Sequence, residues 1–80
     1  MSAKEMFEEL GYKLEQNEWN LKYIKEIEVN QFWTSPITIS FQLMNDNKFY
    51  KYDDDMLAIP INMNELKAIN KQVEELWGDE

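Results

Sequence analysis

The sequence predicts an α+β fold: an antiparallel β-meander of about four to five strands, with an N-terminal and a C-terminal helix packed on one face. Three observations carry that prediction. Asn62 to Trp77 reads as an amphipathic helix with a start and a stop. Ser2-Ala3-Lys4-Glu5 opens a second, shorter helix. Between them, from Tyr12 to Ile61, the apolar period changes from near 3.6 to 2. The 80 residues are 44% hydrophobic, enough for one folded domain expected to cover 1–80, with a few frayed residues at Met1 and Asp79-Glu80.

In chain order, Ser2 and Glu5 have capping-box spacing. Ala3, Met6, Phe7 and Leu10 then form an apolar face, and Gly11 stands where the helix should stop. A helix of about nine residues does not persist alone, so it must dock on the rest of the domain. Tyr12 and Leu14 alternate with Lys13 and Glu15, and Gln16-Asn17-Glu18 reads as a turn. Trp19, Leu21 and Tyr23 continue the alternation, with Ile27 and Val29 after a charged interruption. Ile24 breaks the pattern, which predicts a bulge near Ile24-Lys25 or a change of exposed face. A helix over Trp19, Tyr23, Ile24 and Ile27 also fits the spacing. The β-branched and aromatic content favours strand.

Asn30 to Pro36 reads as a connection, unusual in holding two adjacent large aromatics, Phe32 and Trp33. Ile37, Ile39, Phe41 and Leu43 then alternate with Thr38, Ser40 and Gln42, predicting a strand with one buried and one wet face. Asn45-Asp46-Asn47 is a hairpin-turn sequence. Lys48 to Tyr52 returns as a strand with Phe49 and Lys51 on one side and Tyr50 and Tyr52 on the other. Asp53-Asp54-Asp55 ends it. Leu57, Ile59 and Ile61 suggest a last short strand, at an edge because of Pro60. Asn62-Met63-Asn64-Glu65 forms a capping box for the final helix. Leu66, Ile69, Val73, Leu76 and Trp77 fall within an arc of about 100°, and Gly78 follows. Leu66, Ile69 and Val73 are its expected buried residues. Trp19, Phe7, Phe41 and Trp77 fall on the expected inner faces. Glu74, Glu75, Asp79 and Glu80 crowd the end of the helix where negative charge opposes the dipole.

Composition narrows the function classes. There is no cysteine, so no disulfide framework and no thiolate chemistry, and no histidine, the commonest general base and transition-metal ligand. All eight basic residues are lysines against sixteen acids, a net charge of −8. Such a chain repels nucleic-acid backbones and anionic membranes, so neither direct nucleic-acid binding nor membrane binding is expected. No apolar run is long enough to span a bilayer, and the N-terminus lacks the apolar run of a signal peptide, so a cytoplasmic location is expected.

The carboxylate pairs Glu8-Glu9, Glu26/Glu28 and Glu74-Glu75 fall on polar faces or beside lysines, where nothing raises a carboxyl into the range of a general acid. No nucleophile–base pair, glycine-rich phosphate loop or zinc spacing is present. Asp53-Asp54-Asp55 lacks the alternating ligands and glycine of a calcium loop. No enzyme activity, no cofactor and no metal is therefore expected. Eleven of the residues are aromatic. Trp33, Tyr50 and Tyr52, rimmed by Asp53, Asp54 and Asp55, form the candidate contact surface, since Tyr and Trp are favoured at interface centres.

Two segments carry a resemblance. Glu5-Met6-Phe7-Glu8-Glu9-Leu10-Gly11-Tyr12 and Glu65-Leu66-Lys67-Ala68-Ile69-Asn70-Lys71-Gln72-Val73-Glu74-Glu75-Leu76 are similar to a group of small proteins encoded by phages and prophages of Gram-positive bacteria. In that group the chain tends to finish Glu-Leu-Gly-Trp, whereas Leu76-Trp77-Gly78 here has the last two residues reversed. The resemblance implies a phage or prophage context and an intracellular role, and it brings no activity, cofactor or site residue with it. The expected function is non-enzymatic binding of an as yet unidentified protein partner. The alternatives are an acidic nucleic-acid mimic that blocks a DNA-binding protein, or a structural homo-oligomeric module pairing through an edge strand.

Overall fold

The computed structural model describes residues 1–44, 48–55 and 58–78. In chain order it contains α1 (Ala3–Glu9), β1 (Lys13–Gln16), β2 (Asn20–Asn30), β3 (Trp33–Gln42), β4 (Phe49–Tyr52) and α2 (Met63–Trp77). The strands form one antiparallel sheet in the order β1-β2-β3-β4, and both helices belong to an α+β arrangement with helix–sheet contact, as expected. Asn45-Asp46-Asn47 lies outside the described residues, as does Leu57. Among the described residues there is no fifth strand. Ala58 makes only an isolated bridge to Tyr52, and 59–61 have no strand pairing. Pro60 lacks an N–H in that stretch, which limits its pairing.

Both helices begin on the capping boxes read in the sequence. The Ser2 hydroxyl accepts from the Glu5 N–H and the Glu5 carboxylate accepts from the Ser2 N–H. Asn62 and Glu65 repeat the arrangement in α2. Four otherwise unpaired backbone donors are satisfied this way. After α1, Gly11 at φ 96° turns the chain towards the sheet, a conformation that costs a residue with a Cβ. At the next turn Asn17 Oδ1 accepts from the N–H groups of both Trp19 and Asn20.

β2 and β3 are the long members, and they pair from Asn20↔Gln42 to Asn30↔Trp33. β1 reaches along β2 only to Ile24, opposite Lys13, and β4 along β3 only to Thr38, opposite Tyr52. Residues 25–37 therefore project as a two-stranded arm. Its presence stretches the molecule to 47 × 26 × 21 Å. The radius of gyration of 12.8 Å exceeds the ~11.6 Å of a compact chain this size. This arm corrects two expectations. Asn30 to Pro36 is strand up to a turn at Gln31-Phe32, and not a loop. The bulge lies between Glu28 and Asn30, and not at Ile24-Lys25, through which β2 runs without a break.

The core lies between the sheet and the helices. It comprises Phe7, Tyr12, Leu21, Tyr23, Ile39, Phe41, Ala68 and Ile69, with Val73, Leu76 and Trp77 partly buried against it. Phe7 stacks on Tyr23 at 3.9 Å between centroids and meets Tyr12 and Phe41 edge to face. Each large side chain removed from water there contributes roughly 1.5–3 kcal/mol. Two expected members are missing. Trp19 sits in the β1–β2 turn, 57% exposed, and Leu66 is 37% exposed. α2 is turned about its axis so that Glu65, Ala68, Ile69 and Gln72 are its buried residues. The outer sheet face is also less wet than its sequence implies. Ser40 and Thr38 are buried, flanked in register by Lys22 and Tyr50 and by Ile24 and Tyr52.

Candidate protein-binding site

Two polar constellations occupy the interior, and both explain the turn of α2. The Tyr12 hydroxyl donates to Glu65 Oε2 at 2.7 Å, and Lys51 Nζ pairs with Glu65 Oε1 at 2.6 Å and also donates to the Pro60 carbonyl. Burial alone would raise the Glu65 carboxyl. The hydrogen bonds from Lys51, Tyr12 and the Asn62 backbone outweigh it and hold the carboxyl below its ordinary value. Burial, and then the bond to Glu65, push the Tyr12 phenol well above its ordinary value. The Tyr23 hydroxyl donates to Gln72 Oε1 at 2.6 Å, and burial, followed by the Glu75 and Glu8 charges, raises it to about 12. Both Glu65 oxygens are occupied by donors, so this carboxylate ties α2 to β4 and to Tyr12, just ahead of β1. Beside it, Lys25 Nζ lies 4.7 Å over the Tyr12 ring and donates to the Leu10 carbonyl.

A shallow cleft of about 210 Å³ opens at the base of the arm between Ile27, Ile37, Ile59 and Pro60, with this charged cluster at its end. From there an apolar stripe runs outward. Because residues opposite each other share a face, Ile37, Ser35 and Trp33 of β3 lie on the helix side, as does Ile27 of β2. The stripe grows steadily more exposed towards the tip: Ile37 6%, Ile27 39%, Val29 48%, Trp33 51% and Phe32 82%. The tip is nevertheless defined, because Asn30 Oδ1 accepts from the Phe32 N–H at 2.7 Å. Glu26 and Glu28 stand on the opposite face with Thr34, whose hydroxyl donates to Glu26.

The residues singled out from sequence are distributed over two surfaces. Tyr50, 48% exposed, and Tyr52, half-buried, project from the outer face opposite Ser40 and Thr38. Trp33 lies five residues farther along β3 than Thr38, about 17 Å away, and on the other face. The structure thus separates Trp33 from the two tyrosines and puts it on the face of Ile27, with Val29 at the bulge and Phe32 in the turn beside it in the chain. Phe32 had a signal in the sequence, its adjacency to Trp33. Ile27 and Val29 had only their alternation.

Asp53, Asp54 and Asp55 turn between β4 and the return segment, with one oxygen of each within 4.8 Å of the others. Asp53 Oδ1 accepts from the Asp55 N–H, and Asp54 Oδ1 from the Ser35 hydroxyl at 3.1 Å. That bond brings the acidic turn to the flank of the arm. Among the described residues, no helix is long and apolar enough to cross a membrane.

The chain matches no family model, no curated protein and no solved structure.

Proposed function

We propose that this chain acts by binding another protein, without catalysis, and that the β2–β3 arm makes the contact. The observation that carries the reading is the exposure of Ile27, Val29, Phe32 and Trp33 together on a projecting ribbon. Apolar side chains grouped this way mark interaction sites in soluble proteins, and aromatic residues supply most of the energy at interface centres. The folded body does not use them: its core closes around Phe7, Tyr23, Phe41 and Ile69 at the other end of the sheet. We extend the proposal to a bacterial, cytoplasmic partner, the setting implied by the resemblance read in the two terminal segments.

Affinity capture from a lysate of the cell that makes the protein tests this directly. The wild-type chain should retain a specific protein, Phe32→Ser/Trp33→Ser should lose it, and Tyr50→Ala/Tyr52→Ala should keep it. Capture that survives the first pair and fails with the second would move the contact to the outer sheet face. Retention of nothing by the wild type contradicts the proposal.

A further inference from the structure

The arm has two edges, and they are unequal. The ladder fixes which backbone groups face each edge. The Gln42 N–H donates to the Lys48 carbonyl, away from β2. Antiparallel pairs alternate, so Ser40, Thr38, Pro36 and Thr34 also turn their backbone groups away from β2. Their partners Glu26 and Glu28 turn theirs away from β3. On the β3 edge, Pro36 has no N–H to offer, and Ser35 is engaged by Asp54. On the β2 edge, no strand among the described residues pairs beyond Ile24. β1 begins only at Lys13, opposite Ile24, because Gly11 turns the chain in from α1 at that point. A recess of about 420 Å³, lined by Gly11, Lys13, Ile24, Lys25 and Glu26 among others, lies where β1 would otherwise have continued.

We infer that the outer edge of β2, from Lys25 to Asn30, accepts an extended segment of a partner protein as an added strand, and that this segment alternates Lys or Arg with Val, Ile or Leu. The inference rests on the arm being a contact surface, and it names the edge and the chemistry of the partner. The N–H and C=O groups of Glu26 and Glu28 supply the ladder, as in other cases of strand addition. Side chains of the added strand must alternate between the arm's two faces. On one face they meet the Glu26 and Glu28 carboxylates, and residues 26–36 contain no base to neutralise them. Lys25 is drawn inward to the Leu10 carbonyl and the Tyr12 ring. On the other face they meet Ile27 and the stripe leading to Trp33. A second copy of this chain fits poorly. Antiparallel pairing of two β2 edges about Ile27 sets Glu26 opposite Glu28 twice on one face, and like charges directly opposite destabilise a pair.

The test uses the full chain as bait for a displayed library of random peptides, with backbone amide exchange followed by NMR. Enriched peptides should alternate basic and apolar residues and should slow exchange at the Glu26 and Glu28 amides. Their affinity should fall about tenfold or more for Glu26→Lys/Glu28→Lys, a variant whose exposed substitutions leave the core intact. Enrichment of no peptide, or of peptides without the alternation, overturns the inference. Binding that perturbs Phe32 and Trp33 without slowing exchange at Glu26 and Glu28 overturns the edge and leaves the arm as the contact. A wild-type dimer in sedimentation with both amides protected, in the absence of peptide, would make a second copy the occupant.

Discussion

Glu65 brings a charge into the interior, and the fold arranges three donors around it, from Tyr12, Lys51 and the Asn62 backbone. Removing it leaves the Lys51 ammonium with a buried, unpaired charge, a loss of about 3 kcal/mol. Equilibrium urea unfolding of Glu65→Ala should show that loss as a lower midpoint. Because the carboxyl is held below its ordinary value of 4.5 in the folded state, the stability it contributes is complete above that value. It disappears as pH falls below 4.5 and through the folded value. Urea midpoints measured between pH 7 and 3 should fall steeply for the wild type and less for Glu65→Gln. Equal slopes would mean that Glu65 does not carry the acid sensitivity. None of this was visible at the position itself. Glu65 reads as half of a capping box, which it is, while its other partners lie up to 53 residues away in sequence.

At the scale of elements, local signals were legible and non-local ones were not. Both capping boxes, the α1 stop at Gly11 and the strand through Ile37, Ile39 and Phe41 depend on neighbours a few residues apart, and each is found where the sequence puts it, although Thr38 and Ser40 on the other face of that strand are buried and not wet. The turn of α2 depends on the hydroxyls of Tyr12, ahead of β1, and Tyr23, in β2, so the sequence alone puts Leu66 inside and gives no sign of Gln72, which bonds to Tyr23. The arm was missed for a different reason. Thr34-Ser35-Pro36 has the composition of a loop, and only the register shows that Pro36 needs no ladder partner for its nitrogen. The acids at the end of α2 gain a partial explanation. Glu75 Oε2 accepts from the Ala3 N–H at 2.9 Å, so this carboxylate sits at the N-terminus of α1, where negative charge is favourable. Lys71 pairs with Glu74. Glu75→Ala should cost about 1 kcal/mol, at the scale of a lost cap, with reduced exchange protection in α1. A loss confined to α2 would contradict this role.

The whole molecule is a small two-layer body from which a ribbon of about a dozen residues projects, with most of its packing at one end and the exposed Ile27, Val29, Phe32 and Trp33 on the ribbon, while Trp19 and Met44 stand exposed at the packed end. The candidate contact residues from the sequence fall on different surfaces of this shape. Trp33 belongs to the arm, Tyr50 and Tyr52 to the outer face, and Asp53 to Asp55 to the turn beside the arm. Folding accounts for the body. It does not account for keeping Phe32 and Trp33 in water, which the proposed contact with a partner would. The most direct test is the urea unfolding free energy of Phe32→Ser/Trp33→Ser beside that of the wild type. The two should agree within about 0.5 kcal/mol, as for surface substitutions away from structural features. A loss of about 2 kcal/mol or more would show that the tip aromatics hold the fold together, and would contradict a surface kept for a partner.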